Sequence, residues 1–170
     1  MQNVLFTNTR KDTTFELSKR VTGGMGERNK DFEFEIYIID EGRELSGNVN
    51  AVKTELVNGV PTDRNTTLNF VDGSARVQLK HGEKVVLSGL PVGARFETEE
   101  IASSRAQYEY SANMENGVLD DDGTAVQYMN NKESVMPTGM DDVSQMRLIL
   151  LMLIGLLFAL WARRQRKNIA

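Results

Sequence analysis

Three polar residues occupy strand positions whose same-face neighbours are apolar. In Phe15-Glu16-Leu17-Ser18-Lys19-Arg20-Val21, the face of Phe15, Leu17 and Val21 also carries Lys19. In Phe96-Glu97-Thr98-Glu99-Glu100, the face of Phe96 and Thr98 carries Glu100, and in Val126-Gln127-Tyr128-Met129-Asn130 that of Val126 and Tyr128 carries Asn130. Residues two apart in a strand share a face, so an amine, a carboxyl and a carboxamide are directed at one core. Burial penalises the charged forms, which favours a neutral amine beside a carboxylic acid. A neutral Lys19 is a nucleophile and the Asn130 carboxamide carbon an electrophile. Glu100, carrying the proton, would polarise that carbonyl and pass the proton to the leaving ammonia. The expected chemistry is one amide bond between Lys19 and Asn130, made once within the chain. Each residue also has a plainer reading: a lysine reaching solvent, a surface acid at a strand exit, a turn asparagine.

Other chemistries are poorly supplied. The chain has no cysteine, which removes disulfides, thiolate metal sites and cysteine catalysis, and one histidine, which disfavours a Ser-His-Asp triad or a histidine-rich metal site. His81 reads as a hairpin tip, Gly23-Gly24-Met25-Gly26 as a loop without phosphate-binding spacing, and Asp120-Asp121-Asp122-Gly123 as an acidic turn lacking the other ligands of a calcium loop. No cofactor and no metal are expected. Of 20 basic and 24 acidic residues, five basic and no acidic ones lie in 147–170, so the first 146 residues carry 15 against 24, a net of −9. That sign argues against nucleic acid as a partner, and none is expected.

The elements that must position the trio alternate with period two. Phe32, Phe34, Ile36 and Ile38 form one face, with Glu33, Glu35 and Tyr37 opposite. Ala75–Leu79 alternates likewise, Lys80-His81-Gly82-Glu83 and Leu90-Pro91-Val92-Gly93 read as turns, and Asn58-Gly59 and Asn116-Gly117 as hairpin signals. Residues 40–66 read as polar and irregular, with room for one short helix around Val49–Val57. Many strands joined by turns predict an antiparallel sandwich or barrel.

At the C-terminal end, Leu148–Ala162 is uncharged and is followed by Arg163-Arg164-Gln165-Arg166-Lys167. Counted back to Val143, the span reaches 20 residues, within the roughly 17–25 a bilayer requires. It reads as a transmembrane helix over 143–162, with the basic tail 163–170 on the cytoplasmic side. The start, Met1-Gln2-Asn3-Val4-Leu5-Phe6, lacks an export signal. Val4–Arg10 echoes Val126–Lys132 as apolar, x, aromatic, x, Asn, x, basic. The expectation is a last strand or linker of a missing upstream domain over 1–11, a sandwich over 12–133 and a linker over 134–142.

Several blocks together resemble the Gram-positive pilin and surface-adhesin domains of the Cna B type, which form intramolecular isopeptide bonds. They are Lys19-Arg20-Val21-Thr22-Gly23, Asp31-Phe32-Glu33-Phe34, Leu79–Glu83, Gly89–Gly93, Phe96-x-Thr98-x-Glu100 and Val126-x-Tyr128-x-Asn130. The resemblance covers roughly residues 12–140. It implies a mainly β, Ig-like antiparallel sandwich followed by one C-terminal transmembrane helix, with Glu100 as the catalytic acid of the bond. Thr98 stands where that family has an apolar residue, and Glu99 is an extra acid; parity favours Glu100 as the inward one. Val135-Met136-Pro137-Thr138-Gly139 ahead of the apolar span is similar to the [EQ]VPTG sorting signal of some Gram-positive major pilins. That resemblance implies cleavage between Thr138 and Gly139 by a sortase, which joins Thr138 to a cell-wall peptide or another pilin subunit. The implied partners are thus the sortase, that amine and the membrane lipid around 143–162. Lys30, Lys53, Lys80 and Lys84 are available as acceptor amines, and the sequence does not choose among them. The implied role is a structural, cell-surface stalk domain without enzymatic turnover, anchored to wall or membrane. The alternatives are a ligand-binding adhesin module on the same anchor, with 40–66 doing the recognising, or the membrane-proximal spacer of an exported enzyme.

Overall fold

The computed structural model describes residues 10–134. The pentapeptide Val135–Gly139, the apolar span 143–162, the basic tail and the first copy of the seven-residue echo, apart from Arg10, lie outside the described residues. Eleven strands make up the described part: β1 (Asp12–Thr22), β2 (Phe32–Asp40), β3 (Arg43–Glu44), β4 (Gly47–Val57), β5 (Val60–Phe70), β6 (Ser74–Leu79), β7 (Lys84–Pro91), β8 (Arg95–Glu100), β9 (Glu109–Ala112), β10 (Asn116–Val118) and β11 (Thr124–Asn131).

They form two sheets, so of the sandwich and the barrel that the alternation allows, the chain adopts the sandwich. The first has the order β5-β4-β7-β1-β11-β9; the second has the order β10-β8-β2-β3, with β6 also paired to β2. Inward residues of β1, β2, β7, β8 and β11 interleave into one core containing Phe15, Leu17, Phe34, Ile36, Leu87, Phe96, Val126 and Tyr128, with the Phe15 and Phe96 rings 5.1 Å apart.

Three expectations need correction. The sandwich is not wholly antiparallel: β1 and β11 run parallel, from Phe15 beside Thr124 to Thr22 beside Asn131. The last strand returns beside the first in the same direction, and no local turn constrains that choice. Second, Val49–Val57 is not helical. Val49, Val52 and Leu56 have a helix-like spacing, but β4 pairs along its whole length with β5. Asn58 and Gly59, at φ 53° and 79°, close the hairpin as an I′-type turn. Its β-branched residues suit extended backbone. Third, Asn116-Gly117 is not a turn but part of β10, paired with β8. Gly117 serves there as a flat spot: a Cβ on it would stand 3.0 Å from the Phe96 ring.

Candidate functional site

Lys19 and Asn130 lie on the neighbouring parallel strands of the first sheet, and Glu100 faces them from the second. The register sets Lys19 beside Tyr128 and Val21 beside Asn130, while Glu100 is level with Phe34 on β2. All three candidates are buried, with 2% of Lys19 and none of Glu100 or Asn130 exposed. Glu99, the competing acid, is exposed.

The Lys19 Nζ donates to both Glu100 oxygens at 2.9 Å. The Asn130 Nδ2 donates to Glu100 Oε1 at 2.6 Å. One carboxyl oxygen therefore contacts the amine and the carboxamide together. The Asn130 Oδ1 is buried without a hydrogen-bond partner. Aromatic rings complete the walls: Nζ lies 4.4 Å from the Phe32 centroid and 5.4 Å from that of Phe34, and Phe34 packs on Tyr128 at 5.1 Å.

Burial pulls the Lys19 pKa down from 10.5 to about 8; the Glu100 hydrogen bond and charge oppose the shift and Arg105 adds slightly to it. A desolvated ammonium is less stable than a hydrated one, and a single carboxyl does not fully restore the loss. Near neutral pH an appreciable fraction of Lys19 is therefore free amine. Among the described residues, no group of three or more acidic or histidine side chains is arranged to hold a metal ion.

Two supporting contacts escaped the sequence reading. The Lys80–Glu83 turn grips the backbone of β1 at the lysine. Lys19 N–H donates to Glu83 O at 3.0 Å, Gly82 N–H to Lys19 O at 2.8 Å, and Val21 N–H to His81 Nδ1 at 2.9 Å. His81 is thus an acceptor for backbone, and its pKa is lowered by burial and then by Arg28 and Arg20, which favours the neutral form this bond needs. Thr98, the departure from an apolar residue, pairs its hydroxyl with Tyr128 Oη at 3.1 Å. Neither contact has a local sequence signal, since each joins segments far apart in the chain.

Comparisons with known proteins agree with this architecture. Residues 13–132 match the family described as a domain of unknown function, DUF7601. The chain is 33% identical over 134 residues to the pilus tip adhesin Cpa of Streptococcus pyogenes, an alignment covering 73% of this chain and 17% of that protein. A solved structure of the pilus-presented adhesin Cpa superposes with a TM-score of 0.60 at 32% identity, over 72% of this chain and 28% of the other. The major pilin from Streptococcus pyogenes shares the fold at a TM-score of 0.56 and 21% identity, over 73% and 49% of the two chains. The chain therefore spans only a small part of the adhesin it matches. By the extent of the profile match and the shared sandwich, the chain belongs to the DUF7601 family and carries a Gram-positive pilin-like domain.

Proposed function

We propose that this domain is a self-crosslinked structural module of a bacterial surface protein: an Ig-like Cna B-type sandwich over 12–133 in which Lys19 and Asn130 become joined by an amide. The neutral Lys19 Nζ attacks the Asn130 Cγ. The new C–N bond forms, the Cγ–Nδ2 bond breaks, and the nitrogen leaves as ammonia, with Glu100 carrying the proton from amine to leaving group. Carrying the reading is one observation: a single buried Glu100 oxygen is hydrogen-bonded to both the amine and the carboxamide. The unpartnered Asn130 Oδ1 adds support. Turning the carboxamide over brings that oxygen to Glu100, where a protonated carboxyl donates to it and polarises Cγ.

The remainder of the chain fits an anchored role. In this reading 1–11 continues from a preceding domain, 134–142 is a linker whose Thr138–Gly139 bond a sortase cleaves, 143–162 is a transmembrane helix and 163–170 a cytoplasmic tail. The products are attachment to the wall or to another pilin subunit at the cell surface, without turnover chemistry. A second reading, a ligand-contacting adhesin module, has one observation in its favour: the β4–β5 hairpin ends in exposed apolar residues, Leu56, Val57 and Val60.

Intact mass of the purified chain tests the crosslink. The expected mass is lower than the composition by one ammonia, and Lys19→Ala or Glu100→Ala restores the full value. A wild-type chain at its full compositional mass would overturn the proposal.

A further inference from the structure

A second buried polar contact lies one step along both strands from the reacting groups. Tyr128 precedes Asn130 by two residues on β11, and Thr98 precedes Glu100 by two on β8, each on the same inward face. Tyr128 Oη donates to the main-chain carbonyl of Thr98 at 2.9 Å. Thr98 Oγ1 is 3.1 Å from Tyr128 Oη and 3.2 Å from Glu115 O. Thr98 N–H also donates to Glu115 O, at 2.6 Å. The N–H and carbonyl of one strand residue point to the same side, so the Thr98 carbonyl lies at the β8 edge, just past Asn116, where β10 begins. The tyrosine reaches across from the other sheet and supplies the donor this edge lacks.

We propose that Tyr128 is a positioning residue for the crosslink: locked onto Thr98, it sets the separation of β8 from β11 at which Glu100 meets Lys19 and Asn130. The inference rests on the amide-forming reading above. Tyr128 suits the task because its ring, packed 5.1 Å from Phe34, is a stiff spacer with few rotatable bonds. A carboxyl that must serve amine and carboxamide at once tolerates little error, and misplacement by about 1 Å can slow a positioned reaction on the order of a hundredfold.

The test uses the full chain in detergent, kept unreacted in denaturant and then diluted into buffers from neutral to alkaline pH. Loss of ammonia is followed by intact mass over time. Tyr128→Phe is expected to lower the plateau rate on the order of ten- to a hundredfold. The midpoint of its pH–rate profile should not move, because phenylalanine still covers Lys19. Thr98→Val keeps the main-chain acceptor and should react almost as wild type does. Should Tyr128→Phe not fold, the double variant with Thr98→Val restores an apolar contact at both positions and should fold yet react slowly. The inference is overturned if the phenylalanine variant, alone or in the double background, reacts at the wild-type rate. It is equally overturned if the rate falls with the midpoint shifted upward, since the hydroxyl would then act by excluding water. A wild-type chain that never loses ammonia removes the crosslink reading and this inference together.

Discussion

Lys19 is a lysine that the fold holds out of water, and its protonation is the quantity that most directly links structure to chemistry. Its pKa falls from 10.5 to about 8 because burial outweighs the help from Glu100. In an unreacted chain the unfolded state therefore binds more protons than the folded one between about pH 8 and 10.5, and stability rises with pH across that window. The gain is complete above 10.5 and is lost as pH falls through about 8. An Asn130→Leu variant, which keeps the amine and Glu100 but offers no carboxamide, is expected to show this slope in denaturant midpoints. The crosslinked wild type should lack it, because an amide nitrogen does not titrate; equal slopes in the two proteins would refute the assignment. Lys19→Arg is a sharper substitution than alanine: a guanidinium stays protonated in proteins. That variant is expected to retain its full compositional mass at every pH, as read by mass spectrometry.

At the scale of elements, strand parity explains both what was legible and what was not. Lys19, Glu100 and Asn130 could be placed inward because their strands alternate strictly against large apolar neighbours, and a one-residue slip would reverse every side chain. The β4–β5 hairpin offered no such frame, since β5 is exposed along nearly its whole length and its residues carry no burial rhythm. Dipeptides were an uneven guide. Asn58-Gly59 is a turn and Asn116-Gly117 is strand, whereas Asp72-Gly73, not singled out in the sequence, makes the tight turn between β5 and β6 with φ of 49° and 81°. There the glycine has two duties, because a Cβ would come within 2.3 Å of the Tyr37 ring. Gly73→Ala is accordingly expected to destabilise the domain by about 2 kcal/mol or more. Gly59→Ala, with a similar φ and open space around it, should cost about 1 kcal/mol. Chemical denaturation separates the two cases, and equal losses would show that the Tyr37 contact relaxes freely.

At the scale of the whole domain, the parallel pairing of β1 with β11 sets how it responds to a pull on its two ends. Parallel strands put the entry to β1 and the exit from β11 at opposite ends of the first sheet, so a pull on the two ends shears these strands along their common axis. Hydrogen bonds loaded in shear share the force, but once they fail nothing in an uncrosslinked sandwich stops the rest from unravelling. An amide from Lys19 to Asn130 changes the route. Force entering at Asp12 travels along the first part of β1, crosses at Lys19 and leaves through the end of β11, so that residues 20–129 carry none of it. The same closure of a loop of about 110 residues would add roughly 4–5 kcal/mol by restricting the unfolded chain, if it acts as a disulfide of that span does. The parallel pairing is the part of this argument least legible in sequence, because it joins segments at opposite ends of the domain with no connecting turn to dictate direction. Single-molecule stretching provides the decisive reading. The wild-type domain, pulled through its ends, is expected to show no unfolding step. Lys19→Arg, which retains the charge but cannot form the bond, should unfold and lengthen by on the order of 350 Å, the extended length of the residues the amide would have bypassed. A wild-type trace with that same lengthening would mean that the domain bears load through its hydrogen bonds alone.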